Sequence, residues 1–267
     1  MNRIMRFVVC STAFVALFSL TALSHAQSPF DGTWRIDLAK AKLDQKPFTV
    51  YTSQGWYHCV SCTPPYDNAA DGQFHAIAGQ TFDEESITIV DQRTMKFTDK
   101  KDGKTVNEST VTVSADGKMI TIKTTSYPMN GAGPQDSSIT LKRVGVLRPG
   151  VHATSGNWVP LKLADTEADL SFTFKSNGDE LTMTDPTGDS YTAKFDGIDY
   201  PSKGAYGTNG AVSLKKIDAH TIEETDKRDG KATNVQKMTV SPDGRTMTLV
   251  VHDAQRDTTS TFTATKK

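Results

Sequence analysis

Residues 90–122 read VDQRTMKFTDKKDGKTVNESTVTVSADGKMITI, and residues 217–249 read IDAHTIEETDKRDGKATNVQKMTVSPDGRTMTL. At a constant offset of 127 the two stretches share 15 identities in 33 positions. Thr98-Asp99-Lys100, Asp102-Gly103-Lys104, Thr112-Val113-Ser114 and Asp116-Gly117 all recur. Compositional bias can repeat threonines, but it does not repeat paired Asp-Gly turns at one spacing. The chain is an internal duplication.

Small shifts of register carry the match outward. Gly32-Thr33-Trp34 aligns with Gly156-Asn157-Trp158, and Phe48-Thr49-Val50 with Phe172-Thr173-Phe174. Asp71-Gly72 meets Asp196-Gly197, and Ile139-Thr140 meets Phe262-Thr263, which sets Arg143 opposite Lys266. The copies therefore run over 30–144 and 154–267, joined by Gly145 to Ala153 with Pro149-Gly150 inside it.

Each copy reads as a string of about eight short strands. Leu170, Phe172 and Phe174 alternate with polar neighbours, the period of two expected when one face of a strand is buried. Val111 and Val113, then Ile120 and Ile122, flank Ser114-Ala115-Asp116-Gly117, which predicts a hairpin; Met238, Val240, Met247 and Leu249 repeat it around Ser241-Pro242-Asp243-Gly244. Only Leu38 to Leu43 has a helical look. The fold class is all-β, antiparallel, and a unit of this size must hide its sheet edges by closing into a barrel or pairing two sheets.

The Gly-x-Trp opening the first strand, with a basic residue ending the last, resembles the lipocalin (calycin) barrel pattern. That resemblance implies that a basic side chain packs across the indole at the closed end of each barrel. Trp34 with Arg143, and Trp158 with Lys266, are the pairs implied. The chain from residue 27 on also resembles an exported bacterial family of uncharacterised proteins with tandem lipocalin-like (calycin-type) units, which carries no activity over. Ser-Pro-Asp-Gly-Arg also occurs in propeller blades, but propellers need at least four copies about 40–50 residues apart. Two copies 127 apart do not meet that.

The N-terminus has the form of a secretory signal peptide over 1–26. Arg3 and Arg6 precede an apolar run from Phe7 to Leu23, and Ser24-His25-Ala26 supplies the small-x-small end before Gln27. The run is marginal for a membrane span, which takes about 20 apolar residues. Val9 stands where a lipid-attachment site carries a small residue ahead of Cys10. The expectation is a cleaved product of the periplasm or the medium without a stable membrane anchor. It would keep 28 basic and 31 acidic residues, which offers no basic patch for nucleic acid.

Two cysteines lie beyond the signal segment, in Cys59-Val60-Ser61-Cys62, and an oxidising compartment favours a disulfide between them. Thioredoxin-like catalysis would need such a pair at a helix N-terminus after a strand, and this chain has almost no helix. By the repeat, Cys59 and Cys62 fall opposite Met183 and Pro186, beside the turn Asp185-Pro186-Thr187-Gly188. A structural or labile local disulfide at a hairpin tip is favoured over a catalytic one. A c-type haem would need His after Cys62, where Thr63 stands. His58, His75, His152, His220 and His252 are scattered, so no zinc set forms, and no phosphate loop, nucleophile elbow or His-Glu-x-x-His is present. A calcium loop at Thr98 to Gly103 is spoiled by Lys100, and Asp102-Gly103 reads as a turn. Glu84-Glu85 and Glu223-Glu224 read as solvated strand edges, since neighbours on a strand point to opposite faces.

No catalytic residue, metal or cofactor is assigned. The leading expectation is a binding protein in which one or both barrels hold a small apolar or amphipathic molecule in an interior cavity. The alternatives are an envelope interaction module with filled barrels and, less favoured, a thiol-redox protein using Cys59 and Cys62.

Overall fold

The structure is a computed structural model that describes residues 28–129, 131, 133–163, 170–204 and 210–267. Residues 1–26, read above as a signal peptide, lie outside the described residues. The first copy forms β1 (Gly32–Ile36), β2 (Phe48–Ser53), β3 (Trp56–Cys59), β4 (Tyr66–Ala69), β5 (Asp71–Ala76), β6 (Glu84–Ile89), β7 (Thr94–Lys101), β8 (Lys104–Val113), β9 (Met119–Ser126) and β10 (Gln135–Val144). The second forms β11 (Gly156–Leu163), β12 (Ser171–Asn177), β13 (Glu180–Thr184), β14 (Ser190–Lys194), β15 (Tyr200–Lys203), β16 (Gly210–Lys216), β17 (Thr221–Arg228), β18 (Lys231–Val240), β19 (Thr246–Asp253) and β20 (Thr258–Lys266). Ten strands per copy replace the eight read from sequence. Tyr66–Ala69 and Tyr200–Lys203 carry too little apolar alternation to announce themselves.

The strands make two ten-stranded antiparallel sheets, one a closed barrel and one nearly closed. The duplicated segment shows why. The two-residue turns at Asp102-Gly103 and Asp229-Gly230 both hold positive φ, the conformation that matches the strand twist. In both copies the ladder shifts by one residue just before that turn, at Asp99/Lys100 and Asp226/Lys227. Along β19, Met247 and Leu249 are buried while Thr246, Thr248 and Val250 are exposed. This alternation fixes the register, because a slip of one residue would turn every apolar side chain outward.

The sheets are not colinear with the copies. β1 lies between β12 and β20 in the closed barrel, and β11 lies between β2 and β10 in the other sheet. The sequence repeats 30–144 and 154–267 therefore do not each close on themselves: each lends its first strand to the other's sheet. β10 runs through the connector straight into β11, and pairing consecutive strands costs less loop entropy than returning to β1. With that place taken, β1 closes the second barrel. Crossing between sheets, residues 37–47 contain a single 3-10 turn, Leu38–Lys40, capped by Asp37. The helical stretch expected from Leu38 to Leu43 is thus shorter, since so few residues cannot repay helix nucleation.

The nearly closed sheet ends on β4 and β5, which do not pair with each other. Their counterparts β14 and β15 do, through Ser190↔Lys203 and Tyr191↔Ser202. A single residue, Ala70, joins β4 to β5, too short to turn a hairpin, whereas residues 195–199 turn one in the second copy.

Candidate functional site

Trp34 and Trp158 are fully buried, and each indole N–H is bound to a carbonyl four residues back, of Phe30 at 2.7 Å and of Thr154 at 2.9 Å. Their basic partners are exchanged relative to the sequence expectation. The Arg143 guanidinium lies 4.1 Å from the Trp158 ring, and the Lys266 ammonium 4.7 Å from the Trp34 ring. The cause is the swap of β1 and β11, which brings Arg143 beside Trp158 and Lys266 beside Trp34 in the ladders. Arg143 also donates to the carbonyls of Gly117, Ala153 and Ser155, locking the connector to the barrel end.

The glycine of each Gly-x-Trp is required. Gly156 has φ +134°, and a Cβ there would stand 2.5 Å from the Arg143 Nη1; Gly32 has φ +119° under the Lys266 side chain. Gly156→Ala is expected to cost more than about 1 kcal/mol, read as a lower urea midpoint at unchanged slope.

Two interior clusters were not legible as such. Glu85 is 3% exposed and Glu224 5% exposed, so both leave the class of solvated edges. In each adjacent pair Glu84 and Glu223 are half-buried, while Glu85 and Glu224 turn to the opposite, buried face. Glu85 on β6 accepts from the Tyr66 hydroxyl at 2.9 Å and the Asn68 amide at 2.9 Å, both on β4. Glu224 on β17 accepts from the Tyr191 hydroxyl on β14. Tyr66 and Tyr191 are equivalent in the repeat, as are Asp99 and Asp226, but Glu85 and Glu224 are not. Glu85 lies at the place of Val212, and Glu224 at that of Phe97. The two copies reach one arrangement, a tyrosine bound to a buried glutamate beside a half-buried aspartate, from different strands.

Burial raises every one of these carboxyls. Glu85 is pushed up to about 7 by burial and the Asp99 charge, against the lowering hydrogen bonds of Asn68 and Tyr66. Asp99 rises by burial to about 6, and Glu224 by burial and the Asp226 charge to about 8. Asp226 shifts up for the same reason. In the first copy this chemistry is structural: Glu85 links β6 to β4 across the seam that the backbone ladder leaves open. The paired tyrosines and aspartates were the available sequence signal.

Cys59 and Cys62 are disulfide-bonded, Cα atoms 5.4 Å apart, in the connection from β3 to β4 that corresponds to the second copy's 185–189 turn. His58 pairs with Asp67 at 2.7 Å and stacks on Tyr51 at 4.2 Å between ring centroids. His75 pairs with Asp71, and His152 with the carbonyl of Asp91. Among the described residues no three His, Cys, Asp or Glu side chains gather as a metal set.

The candidate site is a cleft of about 400 Å³ between the connector and the outer face of β2. Its apolar wall includes Val60, Val146, Leu147 and Val151, Tyr51 lies in its floor, and Arg148 is its charged residue. Connector and strand are tied where the His152 N–H meets the Thr52 carbonyl at 2.9 Å and the Thr52 N–H meets the Ser155 hydroxyl at 2.8 Å. Between those ties and β10 the chain turns at Pro149-Gly150 and leaves Val146 91% exposed. Inside the closed barrel, by contrast, Trp34, Leu181, Leu214, Ile222, Met238 and Met247 belong to one continuous buried cluster.

Fold and cleft define a class, an all-β protein of two strand-sharing, ten-stranded barrel-like sheets with an amphipathic groove at their connector. No protein-family model, curated protein or solved structure matches the chain.

Proposed function

We propose that this is an exported binding protein whose ligand is a small amphipathic anion, held in the cleft between the connector and β2. The observation that carries the reading is the cleft itself: about 400 Å³, walled by Val60, Val146, Leu147 and Val151, with Arg148 at hand. Small-molecule sites are mostly apolar concavities of roughly 300–1,000 Å³ with a few placed polar groups. An apolar body would cover the exposed valines, and the guanidinium would take a carboxylate, sulfonate or phosphate. The basic, apolar and small-residue order of the N-terminus supports export, and a disulfide suits an oxidising compartment. The site lies outside the barrels because a continuous core already occupies the closed one.

The test uses the amphipathic anion 1-anilinonaphthalene-8-sulfonate, titrated by fluorescence into the native protein. Saturable binding is expected. Arg148→Ala is expected to weaken it roughly tenfold, the loss of about 1.4 kcal/mol from one charge-assisted contact. Val151→Asp is expected to abolish it by placing a charge in the apolar wall. Absence of saturable binding, or binding that neither variant alters, sinks the reading.

A further inference from the structure

The two cysteines of the Cys59–Cys62 bond differ in exposure: Cys62 is half-buried and packs against the cluster that contains Cys59. Cys59 is 1% exposed and belongs to the core of its barrel. Cys62 lines a second cleft, of about 340 Å³, which also takes in Lys46, Pro47 and Arg256. This cleft joins the two sheets, since Arg256 lies in the turn between β19 and β20. Both charged residues in its wall are cations. Both are also held in place: the Lys46 ammonium is bound to the Arg256 carbonyl, and the Arg256 guanidinium stands 5.4 Å from the Phe48 ring. Asp44 sits nearby, but its carboxylate is engaged by the backbone N–H groups of Lys46 and Thr259.

Exchange at a disulfide depends on which sulfur a thiolate can reach, and a cationic cleft concentrates anionic reagents. We propose that Cys62 is a thiol-exchange site for small anionic thiols. The incoming thiolate attacks the Cys62 Sγ, so a bond forms between the two sulfurs. The Cys59–Cys62 bond breaks, and its electron pair leaves on Cys59, which takes a proton from water. A second molecule of the same thiol, as its thiolate, then attacks the external sulfur of the mixed disulfide. Cys62 departs as a thiolate and is protonated. Two small thiols are thereby oxidised to their disulfide, and the protein pair is reduced to two thiols.

This activity does not rest on the ligand reading above, because it uses a covalent bond in a cleft that shares only Val60 with the first. The test treats the full oxidised chain with glutathione, which is anionic, and with cysteamine, which is cationic, at equal thiolate concentration. Acid quenching and peptide mass spectrometry locate the adducts. Glutathione is expected to react roughly tenfold faster than cysteamine, with the first adduct on Cys62. Lys46→Ala with Arg256→Ala is expected to remove that preference by slowing glutathione without slowing cysteamine. A second pair of variants keeps the result clear of intramolecular reclosure. In Cys59→Ser the free Cys62 is expected to take up oxidised glutathione in the native protein. In Cys62→Ser the buried Cys59 is expected to react only after unfolding in urea. First adducts on Cys59, equal rates for both reagents, or ready labelling of native Cys62→Ser each overturn the proposal.

Discussion

Trp158→Ala is expected to destabilise the protein by about 3–5 kcal/mol, and Trp34→Ala by a similar amount, as urea denaturation should read. Each indole is fully buried in one of the two core clusters, so truncation leaves a cavity and an unpaired backbone carbonyl, of Thr154 or Phe30. The sharper outcome lies in the couplings. A double-mutant cycle of Trp158→Ala with Arg143→Ala should show an interaction of about 0.5–2 kcal/mol, and so should Trp34→Ala with Lys266→Ala. Trp34 with Arg143, and Trp158 with Lys266, should be additive. Arg143→Ala alone will cost more than its coupling, because three carbonyls lose a donor. The cycle removes that common cost. Coupling in the opposite pattern would mean that each copy keeps its own first strand, and the exchanged topology would fall.

Stability is expected to fall as pH rises from about 4.5 to about 8. Glu85 and Glu224 have folded-state values raised to about 7 and about 8 from an ordinary 4.5. Between the unfolded and folded values the native state holds a proton that the unfolded chain has released. Rising pH therefore favours unfolding, by up to about 1.4 kcal/mol per pH unit for each group. The contribution of these protons is fully present below the unfolded value, is lost through the window, and changes no further above the folded one. Asp99 and Asp226 act in the same direction. Glu224→Gln keeps a partner for the Tyr191 hydroxyl without a titrating group, so the slope should become shallower and stability at pH 8 should rise. Urea midpoints across this range supply the measurement. A stability profile that climbs with pH through the window, in the wild type, would rule out neutral buried carboxyls.

The sequence disclosed the tandem repeat, the all-β class and the two tryptophans and two basic residues that stack, though not which stacks on which. Those features are written in local periodicity, in paired Asp-Gly turns and in Gly-x-Trp, each of which acts through neighbours along the chain. The disulfide was legible for the same reason, since only Val60 and Ser61 lie between its cysteines. Glu85 was misread because alternation places one of two adjacent glutamates inside without saying which. That choice belongs to the register, set by distant partners such as Asp99.

Which strand closes which barrel was decided only in three dimensions. β1 and β11 carry the same Gly-x-Trp signal and fit either sheet, so local pattern cannot distinguish them. The connector resolves it, because β10 meets the next strand along the chain before any distant one, and closing that shorter loop costs less entropy. The cleft follows from that choice, for it exists only where the connector crosses β2 on its way into β11.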